Sequence, residues 1–251
     1  MKSVFIVARL GSKRLPNKHI LKIKNKYCIE YVIERAKLVK NADNIVLATT
    51  NLPEDNILEQ IALSHSINVF RGDVDDMIRR CYFAAKTFDV DFFVVAGGDN
   101  LFSEPELLDL AILQYKRTQA DLITWENTGL ICGSFNYGIK TKALKKIIET
   151  KKTNDTEMIS VFFNKNFIIE KLENIPTIYK RDDIRATMDY VEDYEFFKKV
   201  IGLAKSNYTS LRHIINIIDQ NYDVVNINGF RHKDWKKNQI KKIKSLMDGD
   251  M

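Results

Sequence analysis

The sequence is short of the residues that staple or interrupt small folds. Its three cysteines, Cys28, Cys81 and Cys132, are far apart and odd in number, which argues against a disulfide framework and against a CxxC metal site. They are expected to be buried thiols. With four prolines, ten glycines and no Pro/Gly/Ser-rich stretch, the chain offers no linker, and no segment repeats. The histidines, His19, His65, His213 and His232, lack metal-like spacing. No run approaches the roughly 20 apolar residues needed to cross a bilayer, and the apolar core of MKSVFIVARLGSKR is too short for a secretory signal. A cytoplasmic protein is expected.

What is present describes an ordered globular chain. Apolar residues make up 45% and charged residues 29% of 251, enough to bury a substantial core in a single domain over residues 1–251. The formal charge is +6, and part of the excess sits in HKDWKKNQIKKIKSLMDGD, where lysines recur around Ile240, Ile243 and Leu246 at helical spacing. That pattern reads as the solvated face of a basic C-terminal helix within residues 231–251, not as a nucleic-acid or membrane surface. The balance suits a small anionic substrate.

Val4 to Val7 form an apolar run of the kind buried on both faces of a sheet. Ile29, Val32, Ile33 and Ala36 then recur at helical spacing, NIVLATT reads as a strand, EDNILEQIALSHS as a helix, INVFRG as a strand, DDMIRRCYFAAKTF as a helix and DFFVVAGGD as a buried strand. This alternation predicts an α/β fold, a Rossmann-like mostly parallel sheet with helices on both faces. Ligands in such sheets sit at the carboxyl ends of strands, which singles out residues 8–18, 70–80 and 97–100. Residues 120–180 are patterned more loosely and predict a small inserted acceptor-binding or dimerisation region. DDIRATMDYVEDYEFFKKVIGLA predicts strand, turn and helix, and TSLRHIINIIDQN a further helix.

The stretch ARLGSKRLPNK, residues 8–18, places Arg9, Lys13, Arg14 and Lys18 straight after the first strand. A strand followed by a Gly/Ser-containing turn offers unpaired backbone N–H groups, and cations around the turn add charge where a polyphosphate needs it. The reading is a phosphate-binding loop, although neither a Walker A ending nor GxGxxG is present. Four solvated surface cations are the plainer alternative, and their shared position after a strand speaks against it.

The same stretch resembles the ARxxSxRLPxK loop of the sugar-nucleotide cytidylyltransferases, of the spore-coat polysaccharide type and, more distantly, of the CMP-3-deoxy-manno-octulosonate synthetases. In that family the loop wraps the triphosphate of CTP, which implies phosphate-holding roles for Arg9, Ser12, Arg14 and Lys18, with Ala8 and Gly11 in the same loop. VFRGDVDDMIRRCYFAA is similar to the family's FRGxxDDVLxRYxxAA and implies that Arg71, Asp75 and Arg80 lie near the nucleotide. Asp75 and Asp76 equally suit a helix start. VVAGGDNLFSEPELLDLAI resembles xxxGDxPLxxPxxIDxxI, whose Asp binds the catalytic Mg²⁺; Asp99 takes that place, with GDNL where GDxP is usual.

IRATMDYVEDYEFF resembles RLTLDxPEDLEFI, with Val191 in the place of proline. The match implies Asp189 as a second metal-side carboxylate and Arg185 as a cation on the same strand face, meeting substrate or phosphate. Glu192 and Asp193 read as helix N-terminal residues. For the acceptor, NYGIKTKALKKI and NDTEMISVFF are similar in outline to the family's substrate segments and imply Asn136, Tyr137 and Glu157, with Met158 where the family has His. The likeness runs from about residue 3 to about residue 228.

The resemblance implies a Mg²⁺-dependent nucleotidyltransferase, most simply a cytidylyltransferase. It would use CTP and a small anionic sugar-like acceptor, work as a homodimer and supply a cell-surface polysaccharide or glycan. Attack of an acceptor oxygen on the α-phosphorus needs positioning and charge neutralisation, for which Arg14, Lys18 and Asp99 are the implied catalytic set. Two other classes stand beside it. A GT-A-type glycosyltransferase is expected to show a DxD motif, which GGDN does not supply, and a non-catalytic nucleotide-binding protein would accommodate the departures at Asn100, Met158 and Val191.

Overall fold

The computed structural model describes residues 1–204 and 210–248. Thr209, expected to open a helix, and residues 249–251 of the expected terminal helix lie outside the described residues. In chain order the elements are β1 (Lys2–Val7), a short hairpin of β2 (Lys22–Ile23) and β3 (Lys26–Tyr27), α1 (Cys28–Ala36), β4 (Asn44–Thr50), α2 (Asn56–Ser64), β5 (Asn68–Gly72), α3 (Met77–Thr87) and β6 (Phe92–Gly97). There follow α4 (Pro105–Thr118), β7 (Leu122–Thr124), β8 (Tyr137–Lys140), α5 (Thr141–Thr150), β9 (Ile169–Lys171), α6 (Val191–Leu203), α7 (Leu211–Gln220) and α8 (Arg231–Asp248).

Seven strands form one sheet in the order β5-β4-β1-β6-β8-β7-β9. The pairs β5/β4, β4/β1, β1/β6 and β7/β9 are parallel, and β8 runs antiparallel to both β6 and β7. The mostly parallel α/β architecture is thus as expected. Residues 122–171 add strands β7, β8 and β9 to this same sheet, so the loosely patterned region is continuous with the main core.

Alternation along the strands explains the two-sided burial. Val4 and Ile6 point into a core shared with α1, α2, α4, α6 and α7, whereas Phe5 points the other way and stacks on Phe93 at 4.2 Å, under α3 and α5. The three cysteines are buried free thiols, and burial pushes Cys28 and Cys132 up to about 12 and Cys81 to about 11. They carry no thiolate at neutral pH. No helix among the described residues is long and apolar enough to cross a membrane.

One expected strand is absent. Residues 184–189 run extended but make a single bridge, Arg185 with Cys132. The Arg185 carbonyl is instead taken by the Asn228 side chain, and the Met188 amide donates to the Asp99 carbonyl. Side chains and a turn thus hold what a ladder would otherwise hold. Gly133, at φ 91°, permits this: a Cβ there would lie 2.1 Å from the Ala186 carbonyl oxygen.

Candidate active site

β1 lies between β4 and β6, where the direction of strand addition reverses, and Val7 pairs with Gly97. The cationic loop after β1 and the GGDN turn after β6 therefore lie side by side at the carboxyl edge, where open α/β sheets bind ligands. Close approach is built in: a Cβ on Gly98 would stand 2.7 Å from the Ala8 Cβ and 3.0 Å from His19 Cε1. The His19 ring, buried, donates Nδ1–H to the Gly98 carbonyl at 3.0 Å. Burial and the neighbouring Lys18 charge push His19 down to about 4, so it is neutral.

Lys18 lies at the centre of the site. Its Nζ donates to Asp99 Oδ2 at 2.6 Å, to the Met188 carbonyl at 2.8 Å and to Asp189 Oδ1 at 3.3 Å. Burial favours the neutral amine, but Asp99 and Asp189 outweigh it and hold the ammonium above the ordinary lysine range. Arg14 Nη2 reaches Asp189 Oδ1 at 2.7 Å. Burial opposes ionisation of Asp189, yet Lys18, Arg14 and Arg185 overcome it and bring the carboxyl down to about 2. Four residues singled out in the sequence, Arg14, Lys18, Asp99 and Asp189, thus form one salt-bridged cluster.

Beside this cluster, Arg9 Nη1 donates to the Val74 carbonyl at 3.0 Å and to Asp75 Oδ1 at 3.3 Å, and Arg80 Nη1 to the Asp73 and Val74 carbonyls. The loop after β1 and the loop after β5 are tied together in this way. Ser12 Oγ accepts from the Leu15 amide, Ser12 N–H bonds to the Leu10 carbonyl, and Leu10 N–H is taken by Asp55 Oδ1. The expectation of unpaired amides in this loop is corrected for Leu10, Ser12 and Leu15, whose N–H groups all have partners. Gly11 is exposed and a Cβ there would meet nothing within 4 Å, so no close contact requires glycine.

Several expected contacts are placed elsewhere. Arg71 donates to the Thr50 and Leu52 carbonyls, Asn56 and Glu59, which fastens the β4–α2 connection and keeps it off the lysine–carboxylate cluster. Arg185 is not a surface cation: at 1% side-chain exposure it gives Nε and Nη2 to Asp193 and Nη2 to Asp189 at 3.3 Å. It positions Asp189 from behind. Tyr137 turns to the α3/α5 face, where its hydroxyl donates to Ser160, and Asn136 Oδ1 accepts from Asn100 Nδ2 at 2.5 Å and so braces the GDNL turn. Glu157 does face the cations; it is ion-paired with Lys242 of α8, and although burial opposes it, Lys242, Arg9 and Lys18 keep it ionised.

The departures from the usual pattern are absorbed locally. Leu101 is fully buried while Asn100 N–H closes the turn on the Gly97 carbonyl. Val191, at the first position of α6, is exposed where proline would only have pre-set the backbone. Sequence reasoning missed Asp55, which is buried and also accepts from Thr50, and Asn228, which holds both Arg185 and Asp193. It read Asp193 as a cap alone, which it is, and missed its grip on Arg185. Pro53 ahead of Asp55 marks a helix start, but no signal in the chain links Asn228 to either partner.

Asp99 and Asp189 meet at a single cation, Lys18 Nζ, and no group of three or more His, Cys, Asp or Glu among the described residues could hold a metal. Mg²⁺ is usually held by one or two carboxylates with phosphate and water, so this donor set fits it only together with a phosphorylated ligand.

A family model described as cytidylyltransferase matches residues 3–233. The spore coat polysaccharide biosynthesis protein SpsF of Bacillus subtilis is 26% identical over 231 residues, 88% of this chain and 95% of that one. A solved cytidylyltransferase structure from Leptospira borgpetersenii superposes with TM-score 0.80 at 28% identity, covering 89% of this chain and 96% of the other. A CMP-2-keto-3-deoxy-manno-octonic acid synthetase solved with CTP shares the fold, with TM-score 0.61 at 16% identity, over 80% of this chain and 98% of that one.

Proposed function

The chain belongs to the cytidylyltransferase family, and from that premise we propose that it transfers CMP from CTP to an oxygen of a small phosphorylated or acidic sugar-like acceptor and releases pyrophosphate. The observation that carries the reading is the convergence of Arg14, Asp99 and Asp189 on or beside one buried ammonium, Lys18, at the switch point of the sheet. Similarity to a protein of spore-coat polysaccharide biosynthesis supports a cell-surface polysaccharide or glycan as the destination.

In this reading the acceptor oxygen attacks the α-phosphorus as the bond to the β-phosphate breaks. Arg9, Arg14 and Lys18 take up charge on the departing pyrophosphate, and Asp99 and Asp189 are the carboxylates that would hold Mg²⁺. Mg²⁺ held there would supply charge neutralisation on the phosphates. Cys28, Cys81 and Cys132 are protonated and buried, and His19 is committed to Gly98, so none of these four supplies a nucleophile. The test is pyrophosphate release with Mg²⁺ from each common nucleoside triphosphate, against phosphorylated and acidic sugars and polyols. Release that needs CTP and one acceptor is expected. Release only from a triphosphate other than CTP, or tight CTP binding without turnover on any acceptor, would contradict the proposal.

A further inference from the structure

Both tryptophans of the chain, Trp125 and Trp235, wall one cavity of about 340 Å³ that the proposed chemistry leaves unused. Trp125 follows β7 and Trp235 lies on α8; their ring centroids are 6.5 Å apart with planes at 42°, and His232 stacks on Trp235 at 5.7 Å. Glu126, Asp182 and Lys236 also line the space. The volume falls among small-molecule sites, roughly 300–1,000 Å³. Trp235 and Lys236 lie beyond residue 233, where the family match ends.

A second observation joins the cavity to the reaction site. The Arg185 guanidinium stands 5.8 Å from the Trp235 ring, and Arg185 follows Ile184 and bridges Cys132, both of which line the cavity. Its Nε and Nη2 are held by Asp193 and Asp189, but Nη1 is buried and has no partner among the described residues. A buried donor without a protein partner is unusual in native structures and is commonly met by ordered water; Arg185 itself does not line the cavity. The same guanidinium touches Asp189, so one side chain separates the cavity from the carboxylate pair. Arg9, Asp75 and Arg80 lie off β1, β5 and α3, whereas the cavity lies off β7 and α8. The two flanks leave room for two different ligands.

We propose that this cavity holds the hydroxyl-rich ring of the acceptor, a sugar or cyclic polyol, stacked by its C–H face on Trp235 with hydroxyls on Glu126, Asp182 and His232. The negative face of an indole attracts electropositive C–H groups, and carboxylates accept from hydroxyls. Burial, with Lys236 and Arg185 adding to it, lowers His232, so its ring is neutral and both donates and accepts. The proposal rests on the cytidylyltransferase reading.

Because the cavity contains both tryptophans, the intrinsic emission of the intact chain reports on it directly. The emission is titrated with glucuronate, glucose 6-phosphate and inositol, and separately with CTP, while calorimetry follows CTP binding. At least one hydroxylated probe is expected to change the emission saturably, and Trp235→Ala to weaken that probe about tenfold while leaving CTP affinity unchanged. Unchanged CTP affinity shows that the variant is folded; should Trp235→Ala not fold, Trp125→Phe must still weaken the affinity for the probe. No saturable change with any probe, an equal affinity in the folded variants, or the same change with CTP alone would overturn the inference. Failure of CTP to bind by calorimetry would instead remove the cytidylyltransferase reading, whatever the emission does.

Discussion

Lys18 is held between two carboxylates and Asp189 between three cations, so the charges on Lys18 and Asp189 are sustained in burial by their neighbours. Removing one is felt by the rest. Of the two carboxylates on Lys18, Asp99 is the more accessible, at 28% side-chain exposure against 7% for Asp189, so its substitution is expected to disturb folding less. Asp99→Asn is expected to cut turnover by roughly a hundredfold or more while the thermal midpoint stays near that of the parent. A folded variant with near-parental turnover would remove Asp99 from the catalytic set.

His19 makes a second prediction at this scale. In the unfolded chain a histidine takes its proton near 6.5, but in the fold His19 takes it only near about 4, because of burial and Lys18. The unfolded state therefore binds more protons between those values, and stability falls as pH drops from about 6.5 to about 4, by roughly 3 kcal/mol in all. Above pH 6.5 the effect vanishes. His19→Asn, which keeps an N–H for the Gly98 carbonyl, should flatten that slope in urea unfolding at pH 7 and pH 5. Parallel slopes for parent and variant would disprove it.

Among the elements, the strands β1, β4 and β6 and the amphipathic helices were legible from periodicity, because burial on one or two faces leaves a repeat in the chain. The segment 184–189 was not. Its apolar and polar residues alternate like a strand, but Arg185 is pointed inward by Asp193 and by Asn228, which is 35 residues beyond Asp193 in sequence. No local pattern encodes such a pairing. Arg71 shows the same limit: its place in a motif was visible, whereas its commitment to Thr50, Leu52, Asn56 and Glu59 depends on how β4 and β5 pair. Arg185→Met should cost about 3–5 kcal/mol in urea unfolding, since Asp193 would be left buried and unpaired. Arg185→Lys should recover only part, because an ammonium cannot replace a guanidinium fork. A cost below about 1 kcal/mol for Arg185→Met would mean that Asp193 is satisfied by its amide donors alone.

For the whole molecule, the order of the strands does most to make the site. Placing β1 between β4 and β6 brings the loops at residues 8–18, 73–75 and 97–100 to one edge, and the later strands and α8 close the opposite flank with the tryptophan cavity. The carboxyl-edge stretches were readable in advance from the alternation of elements. The flank was not, since Trp125 and Trp235 are 110 residues apart and become neighbours only when α8 packs back. The central claim is that CMP itself moves to an acceptor. It is tested most directly by following CTP labelled at the α-phosphorus, with Mg²⁺ and the acceptor that supports pyrophosphate release. The account predicts that the label appears on the acceptor, in equal amount to unlabelled pyrophosphate, and is lost with Asp99→Asn. Label recovered only as free CMP or unchanged CTP would contradict it.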